Sequence, residues 1–81
     1  MSDTVWKLAS KLAEDTLKIQ DAGGDDRLFM EVAKVLAASS QTLEEAFLTE
    51  VRVRLSERTA RAFLMKKVDE LKASASAGGQ A

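Results

Sequence analysis

The sequence predicts a small all-α domain of three to four short helices. Three observations carry this. There is no proline, and thirteen of the 81 residues are alanine, the strongest helix former. Apolar residues recur at three- and four-residue steps rather than strictly alternating. Helix breakers fall in two places, Gly23-Gly24 and Ser39-Ser40-Gln41-Thr42, and divide the chain into lengths suited to single helices.

The first helix is expected from about Asp3 to Ile19, with Ser2 or Asp3 as its N-cap. Val5, Leu8, Ala9, Leu12, Thr16 and Ile19 form a stripe, widened by Trp6, Ala13 and Leu17. The apolar arc is broader than the ~100° that one packing face needs, so this helix should meet two neighbours. Gly23-Gly24 ends it, because glycine enters the left-handed conformation cheaply. Asp25 or Asp26 then caps a second helix reaching about Ala37. Only Arg27, Glu31 and Lys34 are clearly polar in its body, so it is expected to be central, with Met30 off the main stripe. Thr42 with Glu45 fits a capping box for a third helix, which carries Leu43, Phe47 and Val51 at four-residue steps.

Val51-Arg52-Val53-Arg54-Leu55 is ambiguous. Its alternation signals a strand, while its surroundings are helical with an apolar stripe that shifts face here. The two expectations are a helix with a break near Ser56, or a short strand over 51–55. Beyond Ser56, Ala60, Leu64, Val68 and Leu71 mark a last helix, with Phe63 alongside. Residues 1–72 therefore form the expected domain, and 73–81, ASASAGGQA, a disordered low-complexity tail.

The residue types absent from the chain bound its chemistry. It has no histidine and no cysteine, the usual source of general bases, nucleophiles and transition-metal ligands near neutral pH. No serine or threonine sits in an evident activating constellation, and adjacent carboxylates such as Glu44 and Glu45 point about 100° apart on a helix. The loop Asp21–Asp26 fails a calcium-loop pattern at three positions, with Gly23, Asp26 and Val32 where oxygens or glycine are needed. The reading is a non-enzyme with no metal, cofactor or small-molecule substrate. No apolar run approaches the ~18 residues of a membrane span, and no basic stretch precedes an apolar one at the N-terminus. The expected location is the cytoplasm.

Charge is divided along the chain. Residues 1–50 carry a net −5 and residues 51–81 a net +4, consistent with −1 overall. Arg52, Arg54, Arg58 and Arg61 form a basic cluster, suited to an acidic surface on a second copy or on another partner. Trp6, Leu17, Met30, Leu48, Val53 and Phe63 lie off the main stripes, too many for one small core to hide. Trp6, Leu17, Met30, Leu48 and Phe63 are the candidate protein-interface residues.

Two segments resemble parts of DNA-binding families. Ala33–Leu43 resembles the helix-turn-helix of many bacterial repressors, with small residues at the crossing, a Ser/Gln turn and Thr42-Leu43 opening the second helix. That resemblance implies a recognition helix in the major groove, although Glu44 and Glu45 open it and the usual turn glycine is an alanine. Glu50–Glu57 resembles the opening of a ribbon-helix-helix repressor, which implies a dimer reading DNA through a basic strand. The leading expectation is a non-catalytic helical interaction module, an adaptor, small chaperone or assembly factor that self-associates. The alternative is a small dimeric DNA-binding regulator using Val51–Arg61.

Overall fold

The computed structural model describes residues 2–79, with side chains as far as residue 76, and consists of three helices: α1 (Asp3–Gly23), α2 (Leu28–Ala37) and α3 (Gln41–Gly79). No strand occurs among the described residues. The all-α expectation holds, with three helices rather than four.

Local chemistry sets the ends of α1. Ser2 is extended (ψ 152°), and its hydroxyl accepts from the Val5 amide at 3.3 Å. Asp3 adds a negative charge in the first turn, where the helix dipole favours it. At the far end Gly24 takes φ 73°, and its amide donates to the Gln20 carbonyl at 2.8 Å. A residue with a Cβ is strained in that left-handed region. The helix therefore outlasts the expected end at Ile19 by one turn, since nothing before Gly23 stops it.

Neither Asp25 nor Asp26 is the residue immediately before α2; that is Arg27. The Asp25 carboxylate accepts from the Arg27 amide at 3.0 Å and shapes the turn. The first turn of α2 is instead satisfied from a distance. Gln20, almost fully buried near the end of α1, accepts from the Phe29 amide at 2.7 Å through Oε1. One side chain thus joins the end of α1 to the start of α2. Ser40 opens α3, its hydroxyl accepting from the Leu43 amide at 3.1 Å. It replaces the expected Thr42 cap, and the Glu45 carboxylate instead accepts from the Gln41 side-chain amide at 3.3 Å.

The core consists of Ala9, Ala13 and Leu17 from α1, Ala33 from α2, and Ala46, Phe47 and Val51 from α3. Four of these seven are alanine, which allows close helix approach but buries little apolar area per residue. Val5, Trp6, Leu12, Phe29, Val32, Leu36, Leu43, Leu48 and Leu55 pack around it, half-buried. The expectation of a central α2 is overturned. Ala33 is its one buried residue, while Met30 and Val35 are exposed. A ten-residue helix gives its wide apolar face only one flank of a three-helix body.

At 51–55 the helix expectation holds and the strand does not, but the break near Ser56 is absent. α3 runs unbroken through this stretch. Its Val-Arg alternation winds onto a helix, placing Val51 in the core and Val53 outside. Glu50 and Arg54 pair at 2.8 Å across one turn, and the Thr59 hydroxyl donates back to the Leu55 carbonyl at 3.2 Å. Those local bonds carry the helix past Ser56. Residues 73–79 also lie in α3, where the sequence reading placed a disordered tail. Alanine and serine propagate a helix well enough once one is running. Gln80 and Ala81 of that tail lie outside the described residues.

The result is a short body with a long projection. The principal extents are 65 × 29 × 13 Å and the radius of gyration is 18.4 Å. A compact chain of this length would have a radius of about 12 Å. The difference comes from α3, whose 39 residues outrun α1 and α2.

Candidate functional site

The face between α1 and α3 holds most of the polar side chains that link distant parts of the chain. Arg54 lies there, its guanidinium donating to Glu50 at 2.8 Å and to the Ser10 hydroxyl at 2.7 Å. Four residues on, Arg58 forms a two-pronged pair with Asp21, at 3.0 and 2.8 Å. This is the geometry in which a guanidinium fork matches a carboxylate. Both Arg58 and Asp21 are about half exposed, so the pair contributes roughly 0–1 kcal/mol. It ties α3 to the end of α1. Arg61 pairs with Glu57 on its own helix at 3.2 Å.

The expected basic patch is therefore not one free cationic surface. Arg54, Arg58 and Arg61 each meet a carboxylate of the same chain. Arg52 has no ion pair among the described residues, but it points more than a quarter-turn from the other three at about 100° per residue. The open groove beside these residues is lined by Glu14, Leu17, Lys18, Val53, Arg54, Glu57 and Arg58. Its acids and bases alternate. The Glu14 carboxyl is held below its ordinary value by a hydrogen bond from Lys18 and by the nearby charge of Lys11. No group of three or more metal-ligating side chains comes together among the described residues. Among the described residues no helix is long and apolar enough to cross a membrane.

The candidate interface residues separate into two sets. Leu17 is in the core at 2% exposure, with only its edge at the groove beside Arg54 and Arg58. Trp6 and Leu48 are half-buried and packed against the core. Their large side chains are needed to cover alanines, a demand that stripe counting does not reveal. Met30 and Phe63 are exposed, on opposite parts of the molecule.

Phe63 belongs to a larger feature. Beyond Arg58, the last residue of α3 tied to another helix by an ion pair, every described side chain is exposed. This arm extends about 30 Å at 1.5 Å per residue. Phe63, Leu64, Met65, Val68 and Leu71 are all uncovered along it, Phe63 at 64%. At about 100° per residue, Val53, Ala60, Leu64 and Leu71 fall on one line, flanked by Phe63 and Val68. The line is rotated by about a third of the circumference from the core-facing Phe47 and Val51, while the buried Ala46 lies within about 20° of it; it is uncovered because α1 and α2 do not reach the arm. The body cannot cover it. The arm's apolar periodicity was visible in the sequence; its isolation was not.

No family model, curated protein or solved structure matches the chain. The arm and the body must be interpreted from their own chemistry. An apolar stripe on an otherwise charged helix excludes water from a partner surface when covered. The open grooves on the body bring together no group of three metal-ligating side chains among the described residues.

Proposed function

We propose that the protein is a non-catalytic helical interaction module, of adaptor, small-chaperone or assembly-factor type, which binds protein partners through the arm of α3. The observation that carries this reading is the uncovered stripe of Phe63, Leu64, Val68 and Leu71, projecting beyond the body. Large contiguous apolar surface is seldom left to solvent on a small monomer. Aromatic and aliphatic anchors of this kind carry a disproportionate share of binding energy. Met30 and Val35 on α2 offer a second, smaller apolar surface. The absence of histidine and cysteine supports a role without catalysis, and a cytoplasmic location suits a cysteine-free chain.

A DNA-binding role is the reading this proposal displaces. Phosphate contact needs free cations on one face. Arg54, Arg58 and Arg61 are paired within the chain, and Glu44 and Glu45 open the helix that would enter the groove.

Affinity capture from the native host with the full chain as bait tests the proposal, alongside a salt titration of duplex DNA binding. A specific protein should be retained, and lost when Phe63, Leu64, Val68 and Leu71 are together replaced by serine. Duplex binding should be absent at physiological salt. Submicromolar duplex affinity that falls steeply with salt, with no retained protein, would establish the regulator instead.

A further inference from the structure

We propose that the occupant of the arm's apolar stripe is the same stripe on a second copy, the two arms lying antiparallel about a two-fold axis between Lys67 and Val68. This rests on the interaction reading above and names its partner.

The stripe is nearly the same from either end. Ala60, Leu64, Val68, Leu71 and Ala75 follow one another at steps of four, four, three and four. Small residues stand at both ends, with leucines inside them. Reversing one arm over another sets Ala60 against the partner's Ala75 and Leu64 against the partner's Leu71. Lys67 and Val68 then straddle the axis. The large residues meet in the middle, and the alanines let the helix ends approach. Such self-matching is what a closed two-fold interface requires, since one patch must complement itself.

In this register Lys67 lies close to its own copy beside the axis, and Glu70 supplies the opposite charge on the same flank. Lys66, Lys67 and Glu70 are all exposed and lie on one flank of the stripe. Within the chain, Lys67 and Glu70 make only a loose contact, at 3.8 Å. In the antiparallel pair, like flanks face each other. Glu70 then falls opposite position 65 of the partner, within one turn of its Lys66 and Lys67. Symmetry gives this attraction twice. On the other flank Arg61 approaches the partner's Lys72, but the Arg61 charge is already met by Glu57. Docking the arm on the acidic body of another copy would also match charge. Docked one way it gives an open chain of molecules; docked reciprocally it closes, but it then holds the two Val68 positions apart, so the cysteine pairs below separate it from the arm-on-arm dimer.

Sedimentation of the full chain should report twice 8.8 kDa. Leu64→Glu with Leu71→Glu should restore 8.8 kDa, while circular dichroism still shows the helical body, which neither residue touches. Because the protein contains no cysteine, single cysteines report the register without background. Val68→Cys should form a disulfide-linked dimer on oxidation. Ala60→Cys should not, because antiparallel arms hold it about 22 Å from its own copy at 1.5 Å per residue, far beyond the reach of a disulfide. Mixing Ala60→Cys with Ala75→Cys should give the crossed dimer.

Efficient self-linkage of Ala60→Cys would overturn the antiparallel arrangement in favour of a parallel one. A species of 8.8 kDa up to millimolar concentration would overturn the pairing altogether. If that monomer sedimented with phosphatidylcholine–phosphatidylserine vesicles, the stripe would be a lipid-facing one. A monomer that still captures a host protein through the arm sinks the pairing alone. A monomer that captures nothing sinks the interaction reading as well.

Discussion

Phe47→Ala is expected to remove about 3–5 kcal/mol of stability, the range for truncating a buried aromatic side chain. Phe47 is fully buried and is the largest side chain among the completely enclosed ones. Its neighbours in the core are mostly alanines, which are too short to move into the space it would vacate. Domains of this size have only ~5–15 kcal/mol of total stability, so the variant should be partly unfolded at physiological temperature. Phe63→Ala provides the control. Phe63 is exposed on the arm and supports nothing in the body, so the change should stay within about 0.5 kcal/mol in dilute monomer. Urea unfolding followed by the fluorescence of Trp6, the single tryptophan, compares the two. Similar midpoints would place the core elsewhere.

Gln20→Leu is expected to cost about 1–3 kcal/mol, the penalty for leaving a buried polar group without its partner. Gln20 is only 7% exposed, and its Oε1 accepts from the Phe29 amide. Leucine fills a similar space but offers no acceptor, so that amide in the first turn of α2 loses its partner. The loss should appear as a lower melting temperature and as faster hydrogen exchange at Phe29, with α1 amides less affected. Unchanged exchange at Phe29 would mean that solvent, not Gln20, satisfies this turn.

These two positions also mark the boundary of what the sequence disclosed. Phe47 stood at a four-residue step between Leu43 and Val51, and periodicity alone placed it inside. Ser2 and Gly24 were equally readable, because a cap and a left-handed glycine are local events. Gln20 was not readable, since its partner lies nine residues away across a turn. Arg54 and Arg58 illustrate the same limit more strongly. As a cluster with Arg52 and Arg61 they suggested a free basic patch. Their fixed partners, Ser10 and Asp21, are 44 and 37 residues distant. Only the meeting of α1 with α3 brings those groups together.

The misplacement of α2 has a related cause. Hydrophobicity gives the width of an apolar face but not the number of neighbours available to cover it. Val35 and Met30 are apolar and uncovered because the body contains too few helices. At 51–55 the strand signal was real but had nothing to pair with, and the i, i+4 pair of Glu50 with Arg54 favoured the helix. The outward stripe of the arm was legible as a pattern. Whether a pattern faces a core or solvent depends on where the other helices end.

The projecting arm has a consequence for the lifetime of the chain. A helix of this length without tertiary support is marginal in water, and opens at almost no free-energy cost. Lys66, Lys67 and Lys72 lie on it, and Arg54 is anchored inside the body. A protease that cuts after basic residues would find usable sites on the arm, and a cut after Arg61 would spare the body while removing Phe63, Leu64, Val68 and Leu71. Occupancy of the stripe and survival of the full-length chain become one and the same quantity: copies left alone are shortened, and copies engaged are kept.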